Sequence, residues 1–208
     1  MKIVAISDTH GKHQHLDLPK GDMIIHAGDV SVQGLKEQVV DFLDWFGKLD
    51  FQYKIFIAGN HDFYFEKETA EEIEQIIPLD VIYLNDSGIT IEGIKIWGSP
   101  VQPWFFDWAF NRQRGDEIAE HWKLIPVDTD ILVTHGPAYG VLDKTVRGEA
   151  VGCEALFNFI KKIKPKVHIS GHIHEAYGGV EKFGTYFINA SVLDVKYRMA
   201  NLPVEFEL

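Results

Sequence analysis

The sequence predicts an α/β fold, a layered sandwich of two mixed β-sheets flanked by helices, on three observations. Short continuous apolar runs recur along the chain, amphipathic patterns of helical period lie between them, and two later segments alternate around glycine turns. The runs are KIVAIS (2–7), MIIHAG (23–28), YKIFIAG (53–59), DILVTHG (130–136) and KVHISGH (166–172). Runs without polar alternation suit strands covered on both faces. Leu35, Val39, Phe42, Leu43 and Phe46 share one helical face, and Leu156, Phe159, Ile160 and Ile163 share another. Thr69 with Glu72 reads as a capping box that opens a third helix. Strand and helix therefore alternate in the first half, as a mainly parallel sheet requires. GITIEGIKIWGS (88–99) and GVEKFGTYFINAS (179–191) read instead as antiparallel hairpins, which implies a second sheet or mixed edges.

At 208 residues and 46% hydrophobic content the chain can bury a full core, and no linker or internal repeat divides it. One domain, 1–208, is expected. A lone cysteine, Cys153, excludes an intramolecular disulfide and suits a reducing compartment. MKIVAISD reaches an aspartate too early for a signal-peptide core or a membrane span, so a soluble, cytoplasmic protein is expected. The net charge of −11 repels polyanions, so no duplex nucleic acid is expected as a partner. A small anionic substrate and a homo-oligomer both stay compatible with that charge.

The candidate strands carry polar residues at their C-terminal ends: Asp8 and His10, Asp29, Asn60 with His61 and Asp62, His135, then His172 and His174. In an open α/β sheet, ligands bind in the crevice beyond those ends. Singly, each motif has a bland reading: a D-x-H triplet is common loop chemistry and Gly-Asp a common turn. Together they amount to carboxylate, amide and imidazole donors without cysteine, a set suited to Mn, Fe or Zn. With His61 and Asp62 set aside, seven ligands are too many for one transition ion and suit a pair bridged by a carboxylate.

D-x-H, G-D, G-N-H-D, a lone His before Gly, and G-H-x-H, in that order from Asp8 to His174, resemble the five-block signature of the calcineurin-like metallophosphoesterases. GDVSVQGLKEQVVDFLDWFGKL, WFFDWAFNRQRG, THGP and FINAS are similar to the metallophosphoesterase-domain-containing subgroup, related to the class III cyclic nucleotide phosphodiesterases. The resemblance implies that Asp8, His10 and His174 hold one divalent transition ion and Asn60, His135 and His172 a second, with Asp29 bridging them. It puts Mn first, with Fe, Zn or Ni as alternatives. His61 would face the substrate unligated, with Asp62 orienting its ring, and these two are the expected catalytic residues. The implied reaction is hydrolysis of a small phosphodiester, cyclic nucleotides among the candidates, by hydroxide from metal-bound water. The alternatives are a phosphomonoesterase or nuclease of the same superfamily, or a catalytically silent nucleotide-binding scaffold. The text GDVSVQG lacks the arginine that the superfamily's protein phosphatases carry after this block, which counts against that activity.

The remaining candidates have weaker claims. His13, His15 and His121 stand in polar contexts and are expected on the solvated surface, whereas His26 is expected to pack or hydrogen-bond behind the site. Asn189 is a candidate brace. Arg112, Arg114 and Arg147 read as solubilising charges, with a phosphate contact as the alternative. Trp97, Trp104, Phe105, Phe106, Trp108 and Phe110 fit no single face, so a loop is expected there. Its rings either plug the rim of the domain or stack on a nucleobase.

Overall fold

The computed structural model describes residues 1–208. In chain order the elements are β1 (Lys2–Ile6), β2 (Met23–Ala27), α1 (Lys36–Gly47), β3 (Tyr53–Ile57), α2 (Tyr64–Lys67), α3 (Ala70–Ile76), β4 (Val81–Tyr83), β5 (Ser87–Ile91) and β6 (Ile94–Ser99). There follow β7 (Gln102–Pro103), β8 (Asn111–Arg112), α4 (Asp116–Trp122), β9 (Ile131–Thr134), α5 (Glu154–Ile163), β10 (Val167–Ser170), β11 (Gly178–Lys182), β12 (Thr185–Asn189) and β13 (Val204–Glu207). No helix is long and apolar enough to cross a membrane.

Side-chain parity in the strands explains why the apolar runs are continuous. Ile3 and Ala5 of β1 face Ile131 and Val133 of β9 and Ile169 of β10 in one core cluster. Val4 and Ile6, pointing the other way, join Phe42 and Phe46 of α1 in a second. A third packs Leu132 and Phe187 against Ile118 and Trp122 of α4 and Leu156 and Ile160 of α5. Two sheets thus lie face to face between two helical layers. One sheet runs β13-β1-β2-β3-β4 and the other β11-β12-β10-β9-β6-β5. In the first, β1 to β4 are parallel and only β13 is antiparallel. In the second, the two expected hairpins supply the outer strands, while β6, β9, β10 and β12 pair in parallel.

The helices keep the predicted faces. Phe42 stacks on Phe46 at 5.1 Å and meets Phe56 of β3 edge to face at 5.7 Å. Truncating Phe42 to alanine would cost about 3–5 kcal/mol. Leu35 is the exception: it precedes α1 in an extended conformation and is exposed. Thr69 and Glu72 form the reciprocal capping box of α3. α5 stops at Lys164, which takes a left-handed conformation before Pro165.

Two of the three surface histidines are corrected. The His13 ring is buried against Phe42 and Trp45, its Nε2 3.2 Å from Asp41 Oδ2. Its polar sequence neighbours conceal this, because a single short turn lays one side of His13–His15 on α1 and leaves His15 exposed. His121 is half-buried and bridges Arg112 Nε at 2.9 Å and Asp86 Oδ2 at 3.0 Å.

Candidate metal centre

The parallel strands of both sheets end at the same crevice, and the loops leaving them are tied to one another through their backbones. Asp8 N donates to Gly28 O (2.9 Å), His10 N to Asp29 O (3.0 Å) and Gly171 N to His135 O (3.0 Å). Asp8, His10, Asp29 and His172 all have positive φ, 56°, 42°, 57° and 67°, in the left-handed region that residues with a Cβ enter at a cost. Four such residues in one crevice mark backbone bent to aim side chains. Space is made by glycine. A Cβ on Gly59 would stand 2.3 Å from Asp29 Oδ1, and one on Gly171 would be 2.2 Å from Asp8 Oδ2.

The structure brings eight of the nine sequence-derived site residues to this crevice, Asp62 lying beneath it. The donor atoms of Asp8, His10 and His174 lie within 4.8 Å of one another, as do those of Asp29, His135 and His172, and of His10, Asp29 and His61. Asp29 Oδ2 is 3.4 Å from His135 Nε2, 3.6 Å from His10 Nε2 and 4.0 Å from His61 Nε2. Asn60 Oδ1 is 2.9 Å from His135 Nε2. Asp29 therefore stands between the two remaining sets.

Four imidazoles are oriented through their far nitrogens. Nδ1 of His10 faces Ser31 O (3.2 Å), that of His61 Val32 O (2.7 Å), that of His135 Ala27 O (2.9 Å) and that of His174 Asp194 O (3.1 Å). A carbonyl only accepts, so each Nδ1 carries the proton and each Nε2 is turned into the crevice, the arrangement of a metal-ligating histidine. His10 Nε2 is buried without a hydrogen-bond partner, an unmet need that a cation answers.

The electrostatics agree. Burial alone would raise the Asp8 carboxyl, but the His174 hydrogen bond and the His135 and His10 imidazoles outweigh it and hold it well below the ordinary carboxylate range. Asp29 is likewise lowered against its burial, chiefly by His135. Conversely, burial would lower His135 and His174, yet Asp29 and Asp8 respectively lift each to about 9. His172, with burial and the His135 charge both against it, falls to about 4. The carboxylates thus draw protons onto two imidazoles, and divalent ions supply the same positive charge and compete with those protons. Donor type, orientation and the orphaned nitrogen all fit metal ions.

Asp62 departs from expectation. Its carboxylate does not touch the His61 ring but accepts from Val30 N (3.1 Å), Ser31 N (2.9 Å), Ser31 Oγ (2.7 Å) and Gly59 N (2.8 Å). The tight turn from Gly59 to Asp62, closed by Asp62 N to Gly59 O at 3.1 Å, carries the carboxylate beneath the loop while His61 points outward. Burial and the Asp29 charge push the Asp62 carboxyl up to about 6, against the pull of its donors. The ring of His61 is held by Val32 O and by Trp108, whose ring centroid is 4.2 Å away.

Two supporting serines carry no signal in the sequence. Ser7 and Ser191 both donate to Asp8 Oδ2, Ser191 at 2.7 Å. Asn189, the candidate brace, donates to Ile173 O at 2.8 Å and holds the loop of His172 and His174. His26 lies behind the site as expected, bonded to Thr9 Oγ1 at 3.0 Å. A cavity of about 480 Å³ opens over the centre, walled by Trp104, Phe105 and Trp108 on one side. Trp104, Phe105 and Phe106 are exposed and Phe110 is buried, so the aromatic stretch both packs and presents rings. Arg112 is spent on His121 and Asn111 O, and Arg114 on Glu154 (2.6 Å), Gly152 O and Val151 O. Arg147 is exposed.

Known proteins resemble this chain at two levels. The human "Metallophosphoesterase domain-containing protein 1" (Homo sapiens) is 40% identical over 231 aligned positions, spanning 100% of this chain and 71% of that protein. "Phosphopantetheinyl Hydrolase (PptH) from Mycobacterium tuberculosis" superposes with a TM-score of 0.64 at 15% identity, covering 94% of this chain and 90% of that one. TT1561 of Thermus thermophilus gives 0.59 at 13% identity, covering 90% and 88%. At such identities these two structures establish the shared fold alone. The family model described as calcineurin-like phosphoesterase matches residues 1–176, the span that contains every candidate ligand, and the chain belongs to that family.

Proposed function

We propose that this chain hydrolyses small phosphodiesters, nucleotide diesters and cyclic nucleotides first among them, at a pair of divalent ions for which manganese is the leading assignment. Asp8, His10 and His174 would hold one ion and Asn60, His135 and His172 the other, with Asp29 shared. When bound, such ions activate water and neutralise charge on the phosphoryl oxygens. The chain's own part is orientation: backbone carbonyls fix the imidazoles, and His61, held by Val32 O and Trp108, turns Nε2 toward the cavity, where the ring protonated on both nitrogens would donate to the leaving oxygen. Asp62 acts indirectly, by fixing the loop on which Asn60 and His61 stand.

One observation favours a diester over a monoester. Among the residues lining the cavity the only arginine or lysine is Arg114, and it is already engaged with Glu154. A monoester is largely a dianion at neutral pH, since its second pKa is about 6, whereas a diester carries one negative charge. A wall without a free cation suits the smaller charge. The buried, unpaired Cys153 suits a reducing, cytoplasmic setting.

Manganese-loaded protein assayed with bis(4-nitrophenyl) phosphate, 4-nitrophenyl phosphate and a panel of cyclic nucleotides tests the reading. The diester should give the higher kcat/KM. A preference for the monoester would overturn the assignment, and no turnover of any ester by the loaded protein would favour the silent scaffold.

A further inference from the structure

Tyr197 lies outside every block of the sequence signature, yet it lines the cavity together with His10, His61 and His174. Its ring centroid is 5.0 Å from that of His10, edge to face, and 5.2 Å from that of His174. The His10 ring also meets His61 edge to face at 4.6 Å, so one imidazole touches both.

The chain holds Tyr197 there by an over-determined turn. Tyr197 has φ of 56°, a left-handed conformation unusual for a bulky residue. Tyr197 N donates to Asp194 O at 2.7 Å, and Asp194 N to Arg198 O at 2.9 Å. Asp194 Oδ1 accepts from Lys196 N (2.8 Å) and Arg198 N (3.0 Å), while the Arg198 guanidinium grips Oδ2. The Lys12 ammonium bonds the Tyr197 carbonyl from the loop that follows β1. Because the Asp194 carbonyl also takes the Nδ1 proton of His174, the turn that orients a candidate ligand delivers this ring as well. Backbone strain maintained by so many bonds is characteristic of functional sites. Tyr197 is 43% exposed, and no group of the chain bonds its hydroxyl.

We propose that Tyr197 is a substrate-binding residue, its phenolic O–H donating to a non-bridging oxygen of the bound phosphoryl group on the His10 and His174 side of the cavity. This rests on the phosphoesterase reading and adds a contact to it. A neutral donor is what a cavity without a free arginine or lysine has to offer a singly charged ester.

The test uses the full chain loaded with manganese, as wild type, Tyr197→Phe and Tyr197→Ala. Inorganic phosphate is titrated calorimetrically, metal per chain and melting temperature are measured, and KM and kcat are taken with bis(4-nitrophenyl) phosphate. Tyr197→Phe should keep its metal and melting temperature yet bind phosphate about tenfold more weakly, the effect of one lost hydrogen bond to a charged acceptor. KM should rise by a similar factor, with kcat changed less than about threefold. Unchanged phosphate affinity in Tyr197→Phe overturns the proposal. If that result came with metal loss in Tyr197→Ala, the ring would be only a cover over His10 and His174. Should wild type hydrolyse no diester while Tyr197→Phe still weakens phosphate binding, the contact stands and the diester reading falls.

Discussion

Replacing Asp62 by asparagine removes one charge and almost no volume, and the structure predicts a large loss of stability from it. The carboxylate accepts four donors, Ser31 N and Oγ on Oδ1, and Val30 N and Gly59 N on Oδ2. An asparagine can serve one side with its carbonyl, but its amide NH₂ then faces the two donors on the other. Asp62 is fully buried, so water cannot replace the lost acceptor. Two orphaned donors at about 1–3 kcal/mol each give roughly 2–6 kcal/mol. For a domain of this size that is a fall of roughly 5–20 °C in melting temperature. Metal affinity should fall too, because the same bonds join the Asp29 loop to the Asn60 loop. The assay is thermal and urea unfolding of wild type and Asp62→Asn, with metal analysis of both. A melting temperature within about 2 °C of wild type, combined with lost turnover, would refute the reasoning and restore Asp62 to a direct role on His61.

Further outcomes follow from the same geometry. Asp29→Ala should lose both ions by elemental analysis, since only Asp29 stands between the two ligand sets, whereas Asp8→Ala should weaken mainly one. His61→Ala should retain its metals and lose roughly 10²–10⁴-fold in turnover of a diester with a poor leaving group, but much less with nitrophenolate, which needs little protonation. Gly171→Ala should fail to bind metal normally, because its Cβ would stand 2.2 Å from Asp8 Oδ2; a variant with wild-type metal content would show that the loop relaxes freely. His168, buried and hydrogen-bonded to Thr134 Oγ1, is held down to about 3 by its burial. The folded state keeps it neutral while the unfolded chain protonates below about 6.5, so its contribution is complete above that pH and is lost as pH falls toward 3, at up to about 1.4 kcal/mol per unit. Urea unfolding at pH 7 and pH 5 should therefore show a smaller acid loss in His168→Gln than in wild type, and equal losses would count against it.

Much of this molecule is determined by its sequence alone, wherever local pattern and tertiary environment ask for the same residue. Continuous apolar runs such as KIVAIS and KVHIS need both faces covered, so they become interior strands of two stacked sheets. The polar residues that interrupt them follow directly at the strand ends, so the crevice and its ligand candidates were legible from spacing. Other features were decided only by folding. The edge strand β13, VEFE, has half-exposed alternation that also suits a solvated tail, and only its pairing with β1 makes it a strand. His13 looked solvated because its neighbours are polar, but α1 covers it. Asp62 follows His61 in sequence and was expected to support it, yet the turn sends the two side chains to opposite sides of the loop, and the ring is held by Val32 and Trp108 instead. Ser191, Asp194 and Tyr197 reach the centre from beyond the last signature block, the carboxylate of Asp8 meeting Ser191 across a separation of 183 positions. Sequence spacing reports which side chains leave the same strand end, whereas contacts between loops of different strands depend on how the two sheets are stacked.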